Sequence, residues 1–373
     1  MNLSYWEKEY WHQTYDYIII GAGIVGLTTA MYLIDANPEV SILIVEGGAL
    51  PSGASTKNAG FTCFGTVGEI IDDLNYNREE DVINTIQARW QGLQRLHSLT
   101  SEANINYKKT GGTEVFLNKE EYEFCYEQLL KVNAIIEAAT RIKNVIASQK
   151  LDMYGMYKNC LYNRYEGQLN PVLLIKTFIK ILLEKGVSIQ YNARVLNFHT
   201  TDSAVEVFIQ DQKKLLCKNL VVCTNAFTNK LIDINDVVPA RNQVLVTESI
   251  PNLSLGGTYH YNRGFVYFRN IGQDRILIGG ARHLDAQEEQ TSDFGSNALI
   301  LNYLNDFLKN KILGHSCSID YKWSGIIATG KSKQPIISKI DDRIYAGVRL
   351  GGMGIAIGSN VGYELSQLLQ ETY

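Results

Sequence analysis

Gly21, Gly23 and Gly26 are spaced as Gly-x-Gly-x-x-Gly, with Ala22, Ile24 and Val25 between them. They follow an apolar strand, 17–20, and open a helical stretch, 24–35, which is the context that gives this spacing chemical meaning. In such a turn Gly21 permits the sharp reversal, Gly23 lets backbone approach a pyrophosphate, and Gly26 lets the helix pack on the strand. The helix N-terminus then offers N–H groups and a partial positive charge to phosphate. Glu46 lies twenty residues beyond Gly26, at the end of a second strand, 41–46. An acid there accepts from ribose hydroxyls and repels the 2′-phosphate of NADP. Strand, helix and spaced acid favour a dinucleotide site over a purely structural glycine turn. They do not separate FAD from NAD.

The elements that position this turn form a βαβ unit. Residues 1–14 read as an aromatic, charged surface extension, and 47–68 as a long Gly/Ser/Thr/Asn-rich loop of the kind usually kept for function. Helices are expected over 80–100 and 119–143, with a strand at 112–117 between them. A helix over 171–185 ends at Gly186. Strand-like runs follow at 187–191, 194–199, 204–209 and 214–223. Those at 242–248, 257–261, 264–270 and 275–280 are joined by short turns, as in an antiparallel sheet. A helix over 294–309, strands at 317–324 and 343–347, and a glycine turn at 351–354 lead into a closing helix. Parallel signals at both ends with an antiparallel block between them predict an α/β fold whose Rossmann-like nucleotide domain is discontinuous. The expected partition is 1–80, 151–235 and 321–373 for that domain, and 81–150 and 236–320 for an α+β substrate domain.

The net charge of −4 provides no global positive field to draw nucleic acid. The six cysteines form no CxxC pair and no zinc-type spacing, so no metal site is expected and a reduced, cytoplasmic setting is the natural reading. The uncharged run 17–34 approaches the length of a membrane span, but its glycines fit strand–turn–helix better. No span is expected.

Three further segments bear on the cofactor. Residues 53–61, Gly-Ala-Ser-Thr-Lys-Asn-Ala-Gly-Phe, follow Glu46 closely; 220–226, Leu-Val-Val-Cys-Thr-Asn-Ala, end an apolar strand in small polar residues; 347–358, Gly-Val-Arg-Leu-Gly-Gly-Met-Gly-Ile-Ala-Ile-Gly, put a glycine turn before the last helix. With Trp323-Ser324-Gly325 ahead of Pro335 and the strand pair ending in Gly279-Gly280, the chain resembles the D-amino-acid-oxidase-like family of FAD-dependent oxidoreductases throughout its length. The resemblance implies a GR2-type FAD-binding domain. It places Glu46 and Gly47 at the ribose, and Ala54, Ser55, Thr56, Lys57, Asn58, Ala59 and Gly60 along the diphosphate and flavin edge. Val195 falls beside adenine, Thr224, Asn225 and Ala226 near ribose and pyrophosphate, and Gly352, Met353, Gly354 and Ile355 at the pyrimidine end of the flavin, with Gly325 also among the cofactor-binding residues. Some members attach the flavin covalently. Here Ile326, Ile327, Ala328 and Asn58 stand in those regions, so non-covalent FAD is implied, with Cys63 read as a buried thiol.

The implied chemistry is oxidation of an amine or amino acid, with hydride passing to flavin N5 and O2 or a quinone as electron acceptor. Other readings are a 2-hydroxy acid oxidase on the same fold and a tRNA-modifying flavoprotein, the latter disfavoured by the acidic charge. Glycine oxidases of the family hold the substrate carboxylate with a tyrosine and an arginine. Matching Arg269 to the family's strand-ending arginine puts Phe265 at the tyrosine position, and counting from Trp323 puts Ile327 at the arginine position. Alternation offers substitutes: Phe265, Tyr267 and Arg269 share one strand face. Arg241, Gln243 and Thr247 lie on a neighbouring strand, and Arg349 precedes the last glycine turn. Lys57, Tyr267, Arg269 and Arg349 are the candidate catalytic residues, with structural ion pairs the competing role for each arginine and a solvated loop position for Lys57. His260 and His283 have no usable partner spacing and read as structural.

Overall fold

The glycine turn joins the strand Thr14–Ile20 to the helix Ile24–Ala36 in a computed structural model that describes residues 4–6, 14–210 and 213–371. Most of the expected N-terminal extension, 1–3 and 7–13, lies outside the described residues, while Ser4, Tyr5 and Trp6 are exposed. The chain divides into two compact units.

The first unit comprises 1–56, 172–239 and 327–373. Its sheet runs in the order Ile336–Asp341, Ile344–Val348, Lys213–Val222, Thr14–Ile20, Ile42–Val45, Ser188–Gln190, with Val205–Ile209 and Val195–Thr200 joined to it through Lys213–Val222. Thr14–Ile20 is parallel to both neighbours, and Lys213–Val222 is parallel to Ile344–Val348. Ile18, Ile19, Ile44 and Val45 are fully buried, as a parallel sheet covered on both faces requires. The closing helix Gly354–Gln370 packs along Ile24–Ala36. A Cβ at Gly362 would lie 2.1 Å from Thr28 Oγ1, and one at Gly358 would lie 2.6 Å from Ile24 Cγ2. Only glycine lets these helices approach so closely.

The second unit comprises 57–171 and 240–326. Its sheet has the order Ile319–Thr329, Val238–Thr247, Arg275–Gly280, Val266–Ile271, Thr258–Tyr261, Gly112–Val115, Asn159–Asn163, Ile146–Lys150. The ladders among Val238–Thr247, Arg275–Gly280, Val266–Ile271 and Thr258–Tyr261 are antiparallel. One face packs Leu245, Val266, Phe268, Ile276 and Ile278 against Ile300, Leu304 and Phe307 of the helix Ala298–Phe307. The other face carries Val244, Val246 and Leu277 under Ala59, Phe61, Tyr267 and Trp323.

Several expectations are corrected. The helix expected over 119–143 is two, Lys119–Glu127 and Leu129–Thr140, and stops at Thr140, ahead of the strand Ile146–Lys150. The stretch 47–68 holds a short helix, Ala54–Lys57, and a strand, Phe61–Thr62, rather than loop alone. The strand near 317–324 extends through Ile319–Thr329 and takes Gly325 into it. Residues 57–80 and 151–171 group with the second unit, because Phe61–Thr62 pairs with Gly167–Gln168 and Asn159–Asn163 pairs with Gly112–Val115. Backbone ladders draw them there, and no local sequence pattern announces such pairings.

Candidate active site

In the first unit the expected cofactor residues collect at the carboxyl ends of the parallel strands. Gly21 follows Ile20, Glu46 follows Val45, Thr224 lies just beyond Val222, and the 351–354 turn follows Val348. That edge is where doubly wound sheets bind ligands. Gly21 adopts φ +108, and its N–H donates to Val45 O at 2.8 Å. A Cβ on Gly26 would lie 2.1 Å from Gly21 O, so the helix starts hard against the turn. Glu46 accepts from Ala22 N at 3.1 Å and from Gly48 N at 3.0 Å. Each carboxylate oxygen keeps a further lone pair for a ribose hydroxyl. Ala193 N donates to Glu46 O at 2.9 Å, which brings Val195, two residues on, to the same corner. Ser55 Oγ accepts from Ile24 N at 3.0 Å and so steadies the first helical turn. Thr56 Oγ1 donates to Pro51 O at 3.0 Å.

Neither Gly23 nor Met353, the residues preceding the two packed helices, supplies a side-chain cap. Two helix N-termini without such caps, bare glycine turns and a carboxylate anchored to one of them fit a phosphate-bearing dinucleotide. Asn225, at φ +49, accepts from Arg349 N through Oδ1 at 3.1 Å, and Ala226 is buried beside it.

Arg349 does not present a free fork. Its Nε and Nη2 donate to Gln334 O at 3.1 and 2.7 Å, and Nη1 donates to Asp236 O at 3.2 Å and to its carboxylate. The guanidinium is a clamp within its own unit, because two peptide carbonyls and an acid meet all of its nitrogens.

In the second unit, Lys57 O accepts from Trp323 Nε1 at 2.9 Å, and a Cβ on Gly325 would touch Lys57 Cβ at 3.3 Å. Lys57 Nζ lies 5.4 Å from the Phe294 ring centre. Asn58 Oδ1 accepts from Gly60 N at 2.8 Å, and Gly60 O accepts from Leu169 N at 2.8 Å. Ala59 is buried on the sheet.

That sheet face joins chemistry to packing. Arg269 pairs with Thr258 and Tyr267 with His260, so alternation puts these four on one side. The Tyr267 ring packs edge-on against Phe61 at 5.6 Å. A Cβ on Gly279 would meet that ring at 2.7 Å, so the glycine makes room for the tyrosine. Burial pushes the Tyr267 phenol up to about 12, against the pull of Arg282. Burial alone brings the Arg269 guanidinium down to about 10, and its Nε is buried without a hydrogen-bond partner.

The arginine expected on the next strand is different. Arg241 donates to Glu289 through Nη2 at 2.8 Å and Nε at 3.2 Å, and Gln243 Nε2 donates to the same carboxylate at 3.0 Å. Thr247 Oγ1 accepts from Ile276 N at 3.0 Å. All three serve the framework.

Local sequence spacing missed two features. His260 Nε2 lies 3.1 Å from Glu166 Oε2, across 94 positions of sequence. Burial would lower the imidazole, but Glu166, then Glu114 and Glu69, lift it above its ordinary value. Cys63, Glu166 and His260 bring ligand-type atoms within 4.8 Å of one another, and burial raises the thiol well above its ordinary value. Arg282 is the second feature. It follows the Gly279-Gly280 strand end directly, and that placement is the signal that could have flagged it.

A parallel sheet with glycine turns at its carboxyl edge, in a chain that also forms a large, mostly antiparallel sheet, is the architecture of a dinucleotide-binding α/β protein. Residues 16–368 match the family described as FAD dependent oxidoreductase, and the chain belongs to that family. It is therefore an FAD-dependent oxidoreductase. It is 23% identical over 385 residues to the gamma-glutamylputrescine oxidoreductase of Escherichia coli (strain K12), covering 96% of this chain and 84% of that one. Among solved structures it is similar to glycine oxidase from Geobacillus kaustophilus, with TM-score 0.77, 17% identity, and 96% and 95% of the two chains covered. It is also similar to L-proline dehydrogenase from P. horikoshii, with TM-score 0.77, 16% identity, and 96% and 94% covered. No helix among the described residues is long and apolar enough to cross a membrane.

Proposed function

We propose that this enzyme oxidises the C–N bond of a small amine or amino acid that carries an anionic group. One observation supports the reading most: Tyr267 and Arg269 stand two residues apart on a sheet face that they share with Thr258 and His260 and with the apolar residues Val244, Val246, Leu277, Phe61 and Trp323. When bound, FAD supplies the two-electron acceptor, taking hydride at N5, with reoxidation by O2 or another acceptor. The residues of the chain bind, orient and keep water out. Arg269 offers a planar fork to a carboxylate. Tyr267, held protonated, donates beside it. The apolar residues desolvate the amine, which must be neutral to give up hydride, and the imine product hydrolyses in water. Lys57 is the candidate to stabilise reduced flavin. FAD is non-covalent in this reading, since Ile326, Ile327, Ala328 and Asn58 occupy the regions where some relatives attach it. The relatives named for oxidation of amines and amino acids support the reaction class.

The test is an anaerobic panel of amines, amino acids and 2-hydroxy acids against the yellow holoenzyme, following loss of the visible flavin band. Bleaching by an amine, with ammonia or an amine among the products, is expected. Bleaching by hydroxy acids alone would overturn the reading.

A further inference from the structure

We infer that the substrate of this site carries two anionic groups, one held by Arg269 and the other by Arg282. This inference deepens the reading above and rests on it for the reaction, though not for the binding.

Among the described residues neither Arg269 nor Arg282 makes a hydrogen bond or ion pair, although both are at least partly buried. Burial disfavours both charges. For Arg269 nothing offsets it, and for Arg282 the charge of Glu289 offsets it only in part. Glu289 is already committed, because its carboxylate takes hydrogen bonds from Arg241, Gln243 and Asn297. The neighbourhood thus holds three guanidinium groups, while its acids are already paired, Glu289 and Glu288 with Arg241 and Glu166 with His260. Buried charge without a partner is costly, and a site that keeps two such groups is complementary to anions brought by a ligand.

Placement makes it one site. Arg269 lies two residues beyond Tyr267 on the same face of Val266–Ile271. Ala281 N donates to Phe265 O at 2.6 Å, so Arg282 emerges at the other end of that short strand. Its charge acts on the Tyr267 phenol. The tyrosine therefore lies between two cationic arms, about 13 Å of strand apart at their roots. Long side chains can bracket a small dianion across that span, with the phenol donating between them. His283 adds no positive charge here, since burial and Arg282 both lower its pKa. Dicarboxylic amines and amines bearing one carboxylate and one phosphate or phosphonate share the required chemistry.

The test is calorimetric titration of the holoenzyme with unreactive anions of matched size: acetate and propionate, malonate, succinate and glutarate, and phosphonoacetate. At least one dianion should bind roughly tenfold more tightly than the matching monocarboxylate, the equivalent of one charge-assisted contact. Preference for phosphonoacetate over the dicarboxylates would identify a phosphorylated substrate. Arg282→Met and Arg269→Met should each remove the preference, while Arg282→Lys restores part of it. Equal affinity for mono- and dianions, no anion binding at all, or a preference that survives Arg282→Met would overturn the inference. The wild-type comparison needs no variant, so a misfolding variant leaves it decisive. Dianion preference without bleaching by any amine would overturn the C–N reading and leave the two-anion site standing.

Discussion

Glu46 receives the backbone N–H of Ala22 at 3.1 Å, so the acid that faces ribose in this kind of fold also fastens the glycine turn that faces phosphate. Its second oxygen takes Gly48 N–H at 3.0 Å. One side chain thus holds two loops at the carboxyl edge of the sheet. Glu46→Ala removes both contacts together with the ribose acceptor. FAD affinity is expected to fall roughly tenfold to a hundredfold, at about 1 kcal/mol per hydrogen bond lost. Titration of apoenzyme by flavin fluorescence quenching measures it, and an unchanged Kd would remove Glu46 from the ribose.

Gly362 sets the approach of the closing helix. A Cβ there would lie 2.1 Å from Thr28 Oγ1, so Gly362→Val forces Gly354–Gln370 away from Ile24–Ala36. Overpacking of this kind costs about 1–3 kcal/mol. Both helix N-termini lie at the carboxyl edge of the sheet, where FAD is proposed to bind, so FAD retention through gel filtration should fall along with Tm. A variant that loses Tm but keeps FAD would separate packing from cofactor binding.

The legible part of this protein was the part written locally. The turn 21–26, Glu46 and the 351–354 turn each sit beside the element that positions them, and periodicity marked those elements. The Glu166–His260 and Arg241–Glu289 contacts join residues 94 and 48 positions apart. They depend on strand order and register, which no window of sequence contains. By sequence Arg349 is an arginine before a glycine turn, open both to a substrate role and to a structural ion pair. Only the fold brings Asp236 and Gln334 around it. The helix Ala54–Lys57 is a single turn, too short to show periodicity.

Arg349 separates a structural from a substrate role. Arg349→Met takes the guanidinium away from the Gln334 carbonyl and from Asp236, which keeps its backbone donor Lys331 N, and a loss of about 1–3 kcal/mol is expected after allowing for the partial exposure of Asp236. Thermal unfolding should show a Tm lower by several degrees, with anion affinity unchanged within about twofold. A large change in anion affinity at constant Tm would return Arg349 to the substrate site.

Glu114 makes stability depend on pH. It accepts from Gly68 N at 3.0 Å in a buried position, and burial raises its carboxyl to about 7 despite that bond. The unfolded chain would release the proton near the ordinary value of 4.5, so between there and about 7 the folded state binds the extra proton. Stability therefore falls as pH rises through that window, by an amount on the order of 3 kcal/mol once both states are ionised. Glu114→Gln keeps an acceptor for Gly68 N and removes the titration. Its Tm should exceed that of the wild type at pH 8 and converge with it near pH 5, as measured by unfolding scans across the range. A Tm difference between the two proteins that does not vary with pH would show that Glu114 is ionised throughout, balanced by the charge on His260.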